Sequence, residues 1–176
     1  MTRIILTYGV LSGLVIILSM MLGILTSDGK GFFASEYFGY LIMVIAFSMI
    51  FVGVKRYRDI ALGGVIKFLP ALGAGLLIAA LAGFIYVTVW EIYLFSTDYA
   101  FIHDYVAGAI KAKQEAGMTG AELENFIAEM DGIKDVYAKP YQRLPMTFLE
   151  IFPVGLIVAI VSAALLRNPK LLPARD

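Results

Sequence analysis

Two carboxylates, Glu91 and Glu150, interrupt stretches of sequence that otherwise carry no charge. An ionisable group inside so apolar a run is costly, and it usually faces a cavity or a partner. Placed at one depth and facing one another, the two would form a shared proton, cation or substrate site. A pair of carboxylates is also what acid–base hydrolysis uses, although no recognisable substrate cleft accompanies them. The plainer reading is that each meets Arg143, Lys139 or a tyrosine hydroxyl at a membrane boundary.

Other residues offer less chemistry. His103 is the single histidine; a metal site would need it to join Asp98, Asp104 or the two glutamates, and no HExxH spacing is present. A surface or packing role suits it better. The absence of cysteine excludes disulfides, thiolate metal sites and thiol nucleophiles. An intramembrane hydrolase would have to use Ser48, Ser162 or Thr147, none of which has a histidine or lysine in reach by sequence. No GxGxxG or GxxxxGK[ST] motif is present, so no nucleotide or other cofactor is indicated. Lys55, Arg56, Tyr57, Arg58 and Asp59 form a charged turn suited to anionic headgroups, or to a cytoplasmic partner.

The elements that position these residues follow from composition. Of 176 residues, 60% are hydrophobic and 16% charged, against roughly 45–50% and about 25% in soluble domains. The excess falls into four blocks, at about 4–25, 37–54, 68–95 and 146–166. Each is long enough, or nearly so, to cross a hydrocarbon layer of roughly 30 Å. Backbone amides in lipid must be satisfied within the segment, so the blocks are helices. The first exceeds the roughly 7–15-residue core of a cleaved signal, and no small-residue cleavage site follows it. Glycines at 28–31 and 63–64 mark turns. Zero net charge leaves no global field for nucleic acid.

Basic residues set the orientation. With the N-terminus inside, the short inner segments hold Arg3, Lys55, Arg56, Arg58, Lys67, Arg167, Lys170 and Arg175. The much longer outer segments hold only Lys30, Lys111, Lys113, Lys134, Lys139 and Arg143. Short basic loops stay in the cytoplasm, so both termini are expected there. Tyr37, Tyr40, Tyr57, Trp90 and Tyr93 lie near the expected boundaries, where aromatic rings favour the headgroup level.

Between the third and fourth spans the pattern predicts an outer helical hairpin at about 98–138. Ile102, Tyr105, Val106, Ala109 and Ile110 recur at helical spacing, and Gly117 supplies a stop. Thr119 with Glu122 forms a capping-box signature before a second stripe of Leu123, Phe126, Ile127, Met130, Ile133 and Tyr137. Pro140 ends it. The hairpin reads as a cap on the bundle, or as a surface for a partner or ligand. Small residues recur at steps of four: Gly9 and Gly13; Ala71, Gly75, Ala79 and Gly83; Gly155, Ala159 and Ala163. They permit close helix contact, within one chain or between subunits.

Residues 51–59 (FVGVKRYRD), 85–93 (IYVTVWEIY) and 147–155 (TFLEIFPVG), taken with the four-span layout, resemble the bacterial membrane proteins grouped as domain of unknown function 4199. The resemblance implies a bacterial inner-membrane location and no reaction, substrate or catalytic residue. The expected protein is an all-α bundle of four transmembrane helices in contact with lipid. It is expected to be non-enzymatic: an accessory, assembly or transport-related component that associates with itself or another membrane protein. The alternatives are an ion channel or proton-coupled carrier built on the Glu91/Glu150 region, and an intramembrane hydrolase.

Overall fold

A computed structural model describes residues 1–26 and 36–174, all of whose regular structure is helical. The helices are α1 (Thr2–Thr26), α2 (Glu36–Arg56), α3 (Phe68–Ser96), α4 (Ala100–Glu115), α5 (Gly120–Tyr137) and α6 (Pro140–Leu166). A π-helical turn, Tyr57–Ala61, continues α2. Four segments are long and apolar enough to span a bilayer: Thr2–Ile24, Tyr37–Ala61, Phe68–Ser96 and Pro140–Leu166. The glycine turn expected at 28–31, Lys30, Arg175 and Asp176 lie outside the described residues.

Two boundaries differ from the sequence reading. The second span runs through the charged turn because its π-helical backbone keeps the amides bonded to Ala61. The fourth begins at Pro140 rather than near residue 146. Proline at the first helical position sacrifices only an N–H that has no intrahelical acceptor, so Pro140 starts α6 instead of merely ending α5.

The chain forms two compact units, Met1–Val87 with Phe148–Asp176, and Thr88–Thr147. In the first, the core gathers Phe47, Ile50, Val54, Ile78, Ile151 and Leu166, all fully buried. Outward positions are equally apolar: α1 exposes Leu6, Leu14, Leu18 and Leu22. A helix facing water would carry polar residues there; lipid is the solvent that tolerates the pattern. This is a multi-pass membrane protein.

Lipid gives apolar helices no reason to associate, so contact must come from packing. The small-residue stripes supply it within the chain. A Cβ on Gly75 would lie 2.9 Å from Ala159 Cβ, and one on Gly155 would lie 2.8 Å from Ala79 Cβ. These reciprocal approaches set the α3–α6 crossing. Gly9 and Gly13 meet Leu81 and Ile85 of α3 in the same way. Gly155→Val is therefore expected to cost about 1–3 kcal/mol by overpacking, read as a lowered Tm in detergent. Ser12 adds a polar tie, its hydroxyl donating to the Ala46 carbonyl of α2 at 3.0 Å.

In the second unit, α4 and α5 pair along Ile102, Val106 and Met130, flanked by Ala109, Ile110, Phe126, Ile133 and Tyr137. The expected stripes supply these residues, but Tyr105 is exposed and Leu123 and Ile127 stand outside the cluster. Gly117, at φ 90°, ends α4 as anticipated. Two local expectations fail. The first hairpin helix starts at Ala100, not Asp98, because Asp98 and Tyr99 are left-handed at φ 49° and 59°. Thr119 is the N-cap of α5, but its hydroxyl makes no capping bond. The next residue, Gly120, is left-handed at φ 61°, which breaks the helical run a capping box needs.

Candidate functional site

Within the second unit, α3 carries Glu91 near its end and α6 carries Arg143 in its first turns. The two meet as a bidentate pair: Arg143 Nε donates to Glu91 Oε1 at 2.7 Å and Nη2 to Oε2 at 2.6 Å. Nη1 donates to the Tyr137 carbonyl in the last turn of α5. That carbonyl carries the negative end of the helix dipole, which favours a cation. The guanidinium also lies 5.0 Å from the Tyr99 ring centroid, a cation–π distance. The left-handed backbone at Tyr99 brings that ring into place at a conformational cost of order 1–3 kcal/mol.

Arg143 is 1% exposed, yet donors on all three guanidinium nitrogens are engaged. Both Glu91 oxygens are taken. The arrangement is thus a charge clamp joining the end of α3, the end of α5 and the start of α6. Of the partners weighed for Glu91, Arg143 is the one found; Lys139 is exposed. Trp90, expected from sequence near the headgroup level, is packed against neighbouring rings and is 5% exposed. Its ring meets Phe101 edge-on at 4.8 Å and stacks on Tyr93 at 5.4 Å.

The charged turn after α2 forms a second cluster, in the first unit. Arg58 is fully buried, not a headgroup contact as the sequence suggested. Its Nε donates to Asp59 Oδ1 at 2.7 Å and Nη1 to the Leu171 carbonyl at 3.0 Å. Its remaining contacts are the Leu166 and Leu172 carbonyls. The guanidinium therefore caps the C-terminal end of α6, whose last carbonyls have no helical donors. Lys55 Nζ closes the group on Asp59 Oδ2 at 2.5 Å. The π-helical turn rotates Arg58 inward, and Gly63 and Gly64, at φ 65° and 89°, then reverse the chain. Arg56 alone of the three basic residues in this turn is exposed. A buried arginine in a cytoplasmic-looking loop has no periodic signature, which is why sequence reasoning missed it.

Residues 7–168 match the family described as "Protein of unknown function (DUF4199)". The chain belongs to that family. The match takes in all three stretches that carry the resemblance, 51–59, 85–93 and 147–155. No curated protein and no solved structure matches the chain.

The remaining candidates in this DUF4199 chain are dispersed. Glu150 belongs to the first unit and is exposed on α6. His103 and Asp104 are exposed on α4. Among the described residues, no three histidine or carboxylate side chains gather as metal ligands would. Ser48 is exposed and donates to its own helix at Ile45 O, 2.6 Å away. Thr147 and Ser162 are buried, 3% and 1% exposed.

Proposed function

We propose that this protein is a non-enzymatic accessory or assembly component of the bacterial inner membrane. In this reading both termini are cytoplasmic, and α4–α5 stand on the extracytoplasmic side as a platform for another membrane protein. The observation that carries it is the clamp on Glu91. A carrier built on that carboxylate would need an oxygen free to take and release its cargo, whereas Arg143 occupies both. The same guanidinium holds the end of α5, so the charge is spent on fixing the hairpin. Sidedness rests on the concentration of lysine and arginine in the short segments.

Reconstituted protein is expected to pass no protons or monovalent cations above the level of empty liposomes. A flux that falls in the Glu91→Gln/Glu150→Gln double variant would overturn the proposal in favour of a carrier. A photo-crosslinking residue at exposed Tyr105 is expected to yield one adduct of defined mass in native membranes. Cysteines placed at Lys111 and Lys170 test orientation: only the former should react with an impermeant reagent from the periplasm.

A further inference from the structure

Arg58 does more than end α6. By holding the Leu171 and Leu172 carbonyls it ties the C-terminal tail, 167–174, to the connector between α2 and α3. Gly64 of that connector also lies against the tail, since a Cβ on it would stand 3.5 Å from Ala174 Cβ. Connector and tail therefore form one lobe within the first unit. Residues 62–67 join the end of one span to the start of the next. At about 3.3–3.6 Å per residue, so short a piece cannot leave the bilayer surface. The tail follows Leu166 directly. The lobe sits at headgroup depth.

Two kinds of side chain cover its outside. Arg56, Lys67, Arg167 and Lys170 are exposed, and none has a carboxylate partner among the described residues. The nearby acid, Asp59, is already saturated: Arg58 holds Oδ1 and Lys55 holds Oδ2. Apolar residues interleave with these cations. Ile60 is 70% exposed, Val65 59% and Leu172 50%. Val65 and Lys67 stand outside on either side of Ile66, which is buried in the core. In water the apolar residues would be unfavourably hydrated, and the cations would repel one another. A partner that is anionic and greasy at once relieves both.

We infer that this lobe binds an anionic phospholipid, with the phosphate among Arg56, Lys67, Arg167 and Lys170 and the acyl chains against Ile60, Val65 and Leu172. Basic side chains at a membrane surface attract anionic headgroups, and apolar neighbours hold the segment at the acyl boundary. Lysine and arginine stems lie along apolar surface while their charged heads reach outward. A free phosphate would meet the cations and leave the apolar residues uncovered. An acidic protein docking from water would not reach residues seated at the acyl boundary. The Arg58 tether makes this a site rather than a diffuse charge. It fixes cations from the end of α2, the start of α3 and the tail in one arrangement. The inference is independent of the accessory reading above.

The test strips the full-length protein of lipid in a non-ionic detergent and titrates it with three probes: phosphatidylglycerol, phosphatidylcholine and glycerol phosphate. Native mass spectrometry counts what binds, and Tm follows the consequence. Phosphatidylglycerol is expected to bind and to raise Tm. Phosphatidylcholine has the chains without net charge, and glycerol phosphate has the charge without chains; each is expected to bind about tenfold or more weakly. Lys67→Gln/Lys170→Gln is expected to weaken phosphatidylglycerol binding about 25-fold, at about fivefold per basic residue. Ile60→Ser/Val65→Ser is expected to weaken it while leaving its salt dependence unchanged. Lys111→Gln/Lys139→Gln removes the same charge from exposed positions of the second unit and is expected to bind like the unsubstituted protein. Equal affinity for phosphatidylcholine, or glycerol phosphate matching phosphatidylglycerol, overturns the inference. So does binding indifferent to Lys67→Gln/Lys170→Gln, an equal loss in Lys111→Gln/Lys139→Gln, or a tightly held acidic protein that phosphatidylglycerol does not displace. The comparison of the three probes needs no variant, so it stands even if a substitution disturbs folding.

Discussion

Arg143→Met is expected to destabilise the protein by about 3–5 kcal/mol, toward the lower end, because it strands Glu91 in a largely enclosed site. The Glu91 side chain keeps 24% exposure while that of Arg143 keeps 2%, so solvent relieves part of the cost on the carboxylate side. Removing both charges, as Glu91→Leu/Arg143→Met, is expected to cost less than Arg143→Met alone, since no orphan remains. A double-mutant cycle on equilibrium unfolding in detergent measures the coupling. Arg143→Lys should not rescue: an ammonium cannot engage both Glu91 oxygens and the Tyr137 carbonyl in one plane. Hydrogen exchange in α4 and α5 should quicken in step. Equal losses in the single and double variants would show that the guanidinium acts by filling space, not by its charge.

Arg58→Ala is the second large effect, again about 3–5 kcal/mol for breaking a fully buried charged network. It removes the donors to the Leu166, Leu171 and Leu172 carbonyls and leaves Asp59 with Lys55 as its remaining cation. Asp59→Asn is expected to be milder, because three carbonyls still receive the guanidinium. Arg56→Ala, two residues away but exposed, should change Tm by no more than a surface substitution does, within about 0.5 kcal/mol. The contrast between Arg56 and Arg58 is the informative measurement. If both variants melt alike, Arg58 does not hold the end of α6.

The spans and the hairpin were legible because both depend on patterns that lipid or a paired helix enforces along a contiguous segment. Unbroken apolar length marks α1, α2, α3 and α6, and 3.6-residue periodicity marks α4 and α5. The small-residue steps identified the tight crossings but not their owner; only the approach of Gly75 to Ala159 shows that they are spent inside the chain. Of the site, Glu91 was nameable because intramembrane charge demands an answer, but Arg143 was only one of three partners open to it, beside Lys139 and a tyrosine hydroxyl. What could not be read is where a side chain turns when the backbone leaves regular geometry. The π-helical turn buries Arg58 while leaving Arg56 outside. Left-handed Asp98 and Tyr99 delay α4 and seat a ring on Arg143. Gly120, similarly left-handed, undoes the capping box that Thr119 and Glu122 spell out.

Arg58 and the carbonyls it holds are separated by more than a hundred positions. That spacing imposes an order of events during biogenesis. When α2 first enters the bilayer, its guanidinium has no acceptors except Asp59, and it must wait hydrated at the surface while four further helices are made. Only when the stretch through Leu172 has emerged can the cation be withdrawn from water.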